Sequence, residues 1–253
     1  MARFAYTAPP RDWMNRWGED YAKALPYFEE AVQRTPRYAE AWFKVGVCNG
    51  ELGRWHEAVT AVQQAIRLKP DDAEAYFVLG TAYGELGRWH EAVTAYQQAI
   101  RFQPDFAEAH SNLGTAYRNL ERPREAVAAY QQAIRFKPDL AEAHYNLGPA
   151  YGHLGRWQEA VAALQQATHL KPDDAEAYYN LGVAYGHLGH WHAAVAALQQ
   201  AIHLKSNDAE AHLNLGAAYL ILGDRDSALE EYKILKTLDQ NLANDLVGFI
   251  SHR

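Results

Sequence analysis

AEAYYNLGVAYGHLGHWHAAVAALQQAIHLKSND, residues 175–208, places two helical patterns in 34 residues. The first half sets Tyr178, Leu181, Gly182 and Tyr185 at i, i+3, i+4 and i+7, one face of an α-helix. The second half gathers Trp191, Ala194, Val195, Leu198, Ala201 and Ile202 into a similar stripe. Gly189 stands between them, where a glycine ends a helix. Two short amphipathic helices joined by a tight turn are therefore expected.

The same 34 residues recur on both sides. Six rows run without a gap from Ala39, Ala73, Ala107, Ala141, Ala175 and Ala209, each opening Ala-Glu-Ala. Position 8 is glycine in every row (Gly46, Gly80, Gly114, Gly148, Gly182, Gly216), position 14 is leucine and position 20 is alanine. Pro70, Pro104, Pro138 and Pro172 close the second helix in four rows, and an aspartate follows each. The small residues let helix backbones approach, and the large ones fill the space around them. A helix pair this short cannot bury its apolar face alone, so neighbouring pairs must stack.

The third row supplies His110, Leu113, Gly114, Tyr117, Ala126, Tyr130, Ala133 and Pro138. This resembles the tetratricopeptide-repeat pattern W-x2-L-G-x2-Y, A-x3-F, A, P, and the resemblance covers 39–240. It implies an all-α fold, a right-handed superhelical solenoid of antiparallel helix pairs whose first helices line a concave side. Residues 19–38 match the second helix of a degraded unit through Tyr21, Ala24, Leu25, Phe28, Ala31, Val32 and Pro36. Pro26 is expected to bend or shorten that helix. Residues 1–18 read as an atypical N-terminal cap, with Asp12 in place of the packing glycine and Trp13 and Trp17 as anchors. Residues 241–253, with Leu242, Leu246, Val247 and Ile250 at helical spacing, read as a capping helix like those of free-standing bacterial repeat proteins.

The chain has 253 residues, 49% hydrophobic and 22% charged, which is the composition of a folded protein. A formal net charge of -7 and no run of Lys or Arg argue against nucleic acid and an anionic membrane surface as partners. No stretch reads as a membrane span or a signal-peptide core, so a cytoplasmic location is expected. Cys48 excludes an intrachain disulfide. It holds a position filled by alanine in the other rows and reads as a small packing residue.

Four features mark the first-helix face. Asn112, Asn146, Asn180 and Asn214 occupy position 6, where Lys44 and Val78 stand in the first two rows. A primary amide both donates and accepts, so such a series can hold an extended peptide backbone. Its spacing is similar to the asparagine ladder in the repeat domain of the O-linked N-acetylglucosamine transferase. The alternative is a family habit that points to water. Glu40, Glu74, Glu108, Glu142, Glu176 and Glu210 occupy position 2, where a carboxylate favours the helix dipole and also makes one edge acidic. The basic clamp of chaperone-binding relatives is missing apart from Lys44, so a chaperone tail is not the expected ligand. Gly50, Gly84, Gly152 and Gly186 at position 12 either leave room for a ligand side chain beside Phe43, Phe77, Tyr145 and Tyr179, or mark an early helix end. His187, His190 and His192 lie close in sequence, but no second cluster with ligand spacing supports a metal.

Two mid-array irregularities are expected to alter local curvature: Pro149 inside a first helix, and Glu121 with Pro123 in place of the turn glycine and the tryptophan. No phosphate loop, nucleophile elbow or paired metal motif is present, so neither catalysis nor a cofactor is expected. The reading is an adaptor that binds an extended or helical segment of another protein, basic or aromatic in character. Two alternatives stand beside it: a substrate-recruiting domain of a larger glycosyltransferase-like enzyme, or a self-assembling protein joined through its array ends.

Overall fold

The computed structural model describes residues 20–251. The cap expected over 1–18, with Trp13 and Trp17, lies outside the described residues, as do the last two residues. The described residues form fourteen α-helices: α1 (Tyr21–Arg34), α2 (Ala39–Glu51), α3 (Trp55–Leu68), α4 (Ala73–Glu85), α5 (Trp89–Phe102), α6 (Ala107–Asn119), α7 (Pro123–Phe136), α8 (Ala141–His153), α9 (Trp157–Leu170), α10 (Ala175–His187), α11 (Trp191–Leu204), α12 (Ala209–Leu222), α13 (Arg225–Leu238) and α14 (Gln240–Ser251). Even-numbered helices are the first halves of the rows and odd-numbered ones the second halves. The architecture is all-α. Contacts divide the chain into two compact units, one up to Arg122 and one from Pro123.

Local chemistry sets the helix ends. Asp72, Asp174 and Asp208 accept the backbone N–H of Ala75, Ala177 and Ala211 at 3.2, 3.1 and 3.2 Å, each a side-chain N-cap. The turn inside each pair needs a left-handed residue, and Gly53, Gly87, Gly155 and Gly189 supply it at φ 70–73°. Glu121 takes the same hand at φ 57°, so the irregular row keeps its turn at some backbone cost, and Pro123 opens α7 as a first helical residue. The expectation that Pro26 shortens its helix fails. α1 has the same 14 residues as α3 and α5. Pro149 lies inside α8, which has 13 residues like α4 and α10.

Within each unit, short turns make successive helices antiparallel neighbours. The alanines at positions 3 and 20 are at most 1% exposed in every row, from Ala41 and Ala58 to Ala211 and Ala228. They form the seam where helices touch, with Val62, Tyr130, Leu164 and Leu198 fully buried around it. At the C-terminal end α14 packs on α12 and α13 and buries Ala243 and Leu246 completely. It stands where the first helix of a further row would stand.

A repeated polar contact joins each pair to the next. The position-25 glutamine of one row donates to the position-11 tyrosine hydroxyl of the following row. The five contacts are Gln63–Tyr83 (2.9 Å), Gln97–Tyr117 (3.0 Å), Gln131–Tyr151 (2.7 Å), Gln165–Tyr185 (2.7 Å) and Gln199–Tyr219 (2.8 Å). Arg88, Arg122 and Arg156 lie over Tyr83, Tyr117 and Tyr151 at 4.6, 4.7 and 4.6 Å from the ring centroids. Tyr151→Phe removes one hydroxyl and is expected to lower stability by about 0.5–1.5 kcal/mol, the net value of a single hydrogen bond. Urea unfolding reads it, and an unchanged midpoint would show that the contact is not stabilising.

Candidate functional site

The first-helix face is built differently in the two units. In the N-terminal unit Lys44 Nζ lies 5.2 Å from the centroid of Phe43. Phe77 packs against Phe106 at 4.9 Å and Tyr96 at 6.0 Å, turned toward its own repeat and the following turn. Asn112 hydrogen-bonds the Tyr96 hydroxyl, which donates to Thr81 Oγ1 at 3.3 Å. Glu40 accepts from the Tyr38 hydroxyl at 3.4 Å. Glu40 and Glu74 are exposed, and Glu108 is half-buried.

The C-terminal unit brings the expected residues together. Tyr145 donates its hydroxyl to Glu176 Oε2 at 3.0 Å and accepts from Asn180 Nδ2 at 3.4 Å. One repeat further, the Tyr179 hydroxyl accepts from Asn214 Nδ2 at 3.2 Å. That same amide also reaches the Glu210 carbonyl at 3.0 Å. Asn180 and Asn214 thus brace a tyrosine of the preceding row, and neither simply points to water. Asn146 is buried at 6% exposure. Glu142, Glu176 and Glu210 are exposed, so three carboxylates flank a row of tyrosines.

Burial and the Glu176 carboxylate push the Tyr145 phenol up to about 12, and burial with Glu210 nearby also raises that of Tyr179. A phenol that titrates later in the folded chain favours folding while it stays protonated. Its contribution is complete below the ordinary value near 10 and is lost as pH rises toward 12. Parent protein should therefore lose more unfolding free energy between these pH values than Tyr145→Phe does. Parallel pH curves for the two proteins would contradict this.

The glycines at position 12 seat tryptophans. A Cβ on Gly50, Gly84, Gly152 or Gly186 would lie 3.2, 3.2, 2.9 or 3.3 Å from Cζ3 of Trp55, Trp89, Trp157 or Trp191. Each glycine is the seat of its own repeat's tryptophan, one residue before the helix ends. Where the tryptophan is absent the glycine is absent too: Arg118 accompanies Pro123, and Leu220 accompanies Arg225.

Space does open beside one of them, Gly186. A cavity of about 250 Å³ opens between α10, α11 and α12, lined by Val183, His187, Trp191, Asn214, Ala217 and Ile221. Ala217 is the small residue at position 9, where other rows carry Val47, Thr81, Thr115, Pro149 and Val183. His187 is stacked on Trp157, centroids 3.7 Å apart and planes 5° from parallel. Among the described residues no group of three or more His, Cys, Asp or Glu side chains is placed to hold a metal ion. Cys48 is fully buried, and burial raises its thiol to about 11, which keeps it an unreactive thiol. No helix of the described residues is long and apolar enough to cross a membrane.

A TPR repeat model matches residues 50–87, 82–121, 122–155, 153–189 and 187–223, and a tetratricopeptide repeat model matches 209–241. No curated protein matches the chain. Among solved structures, the C-terminal part of a TPR repeat-containing protein from Cytophaga hutchinsonii is 19% identical, with a TM-score of 0.75 over 93% of this chain and 97% of its own. MamA is 26% identical, with a TM-score of 0.61 over 68% of this chain and 99% of its own. YrrB, described as a TPR protein with an unusual peptide-binding site, is 24% identical, with a TM-score of 0.64 over 73% of this chain and 95% of its own.

Proposed function

The chain belongs to the tetratricopeptide-repeat family, and from that premise we propose that it is a non-catalytic adaptor that holds an extended, basic segment of another protein on the first-helix face of its C-terminal unit. The observation that carries this reading is the conjunction of an apolar cavity with exposed carboxylates. The cavity beside Ala217 suits one aliphatic side chain of the ligand, and Glu142, Glu176 and Glu210 suit Lys or Arg at other positions. Tyr145 and Tyr179, held by Asn180 and Asn214, provide ordered hydroxyls for a passing peptide backbone. Phe43, Phe77 and Asn112 belong to the other unit and are not part of this proposed surface.

Selection from a random peptide display library tests the reading. Peptides captured by the parent should carry Lys or Arg together with one aliphatic residue. Their affinity for a Glu142→Gln, Glu176→Gln, Glu210→Gln variant should fall roughly tenfold, the sum of three modest surface charge contacts. The difference should shrink at high salt. Glutamine still accepts the Tyr145 hydroxyl, so the fold is kept. Captured peptides without basic residues, bound equally by both proteins, would overturn the proposal.

A further inference from the structure

The first repeat junction departs from the other five. Those five each hold a tyrosine at position 11 against a glutamine at position 25 of the preceding row. Here position 11 is Asn49 and position 25 is Glu29. Asn49 turns its amide inward to the Val45 carbonyl at 2.9 Å, and among the described residues no tyrosine takes the position-11 place at this junction. A cavity of about 520 Å³ opens there, lined by Glu29, Trp42, Asn49, Arg54, Glu57 and Thr60 among others. That lies within the roughly 300–1,000 Å³ of ordinary ligand pockets.

The arginine that covers the ring in three of the five other junctions is still present. Arg88 and Arg156 lie over their tyrosines and also pair with Glu91 and Glu159 at 2.8 and 2.7 Å. Arg54 holds the same position in its row, yet it has neither a tyrosine beneath it nor an ion pair with Glu57 among the described residues. Glu29, in the glutamine's place, is also without an ion pair among the described residues. The junction thus keeps the position-16 arginine and lacks the position-11 tyrosine.

We propose that this junction is a second binding site, which takes a phenol or indole side chain from a partner protein. The other five junctions in this chain show what the pocket accepts: a planar ring edged by a polar group, faced in three of them by a guanidinium. The substitution at position 25 reverses the hydrogen bond. Glutamine donates to the tyrosine hydroxyl, whereas an ionised Glu29 can only accept. The incoming ring must therefore bring a donor, which a phenol O–H or an indole N–H does and a phenylalanine ring does not. This site involves α1, α2 and α3 in the N-terminal unit and is independent of the C-terminal surface proposed above.

NMR titration of the full chain with N-acetyl-tyrosine amide and N-acetyl-tryptophan amide tests it, with the phenylalanine and leucine amides as controls. The donor-bearing rings should bind at least about tenfold more tightly than the leucine amide and more tightly than the phenylalanine amide. Their shifts should centre on Asn49, Arg54 and Thr60. Asn49→Tyr with Glu29→Gln restores the junction found in the other rows. It should remain folded by circular dichroism and lose this binding. Arg54→Ala keeps the cavity and should weaken binding roughly 2–5-fold, as loss of one exposed cation–π contact does. Equal binding of all four amides, binding retained by the restored junction, or a contact from an aromatic of residues 1–19 already in the pocket of the parent would each overturn the proposal. Glu142, Glu176 and Glu210 variants should leave these titrations unchanged, which separates failure here from failure of the adaptor reading.

Discussion

Gly182→Val is expected to destabilise the C-terminal unit by about 2–3 kcal/mol, near the upper end of overpacking costs. A Cβ at this position would lie 2.6 Å from Leu198 Cγ, 2.9 Å from its Cδ2 and 3.3 Å from the Ala194 carbonyl oxygen. Leu198 is 2% exposed and has little room to move aside. The carbonyl belongs to the backbone of the facing helix, so relief requires α10 and α11 to separate. An opposing effect exists. Glycine inside a helix costs about 1 kcal/mol relative to alanine, and a β-branched residue recovers only part of that. The steric term is larger, so the net sign is destabilising. Urea unfolding should show a lower midpoint, with Gly182→Ala losing less than the valine variant. A valine variant as stable as the parent would mean the helices are not packed as closely as described.

Leu246→Ala is expected to cost about 2–5 kcal/mol, the range for truncating a buried leucine. Leu246 is fully buried, and its Cδ2 lies 2.6 Å from where a Cβ on Gly216 would be. It fills the hollow that the small residue of α12 leaves, as Leu198 does for Gly182. The effect should be local, because each repeat rests only on its neighbours. Hydrogen exchange should quicken in α12, α13 and α14 and stay unchanged in α2 to α5. Unaltered exchange in the last three helices would show that Leu246 is not what holds α14 on α12 and α13.

The period made most of the fold legible. Glycine at position 8 and alanine at position 20 recur because two backbones meet there, and the structure buries them accordingly. That α14 packs on the last repeat was also readable, since Leu246 falls on the helical stripe. Pro26 does not shorten its helix. Pro26 and Pro149 each remove one backbone donor, but Leu25, Phe28, Leu147 and Ala150 are buried beside them and hold the helices together. The position-12 glycines are a different case. Read along one helix they are free space, yet their partner is a tryptophan five residues later on the next helix. The signal was available, because Arg118 with Pro123 and Leu220 with Arg225 change together. The same comparison of rows exposes the Gln–Tyr contacts, whose two members are both lost at Glu29 and Asn49. The asparagines were located correctly on the first helices. That Asn180 and Asn214 lean on Tyr145 and Tyr179 needs the distance between rows, which periodicity alone does not supply.

Hydrogen exchange of the parent, with and without a basic peptide from the display selection, tests the central claim most directly. The account predicts slower exchange in the first helices of the C-terminal unit, α8, α10 and α12, most strongly around Val183 and Ala217 where the cavity opens. Protection confined to the second helices α9, α11 and α13, or to the array ends, would contradict it and move the binding surface off the first-helix face.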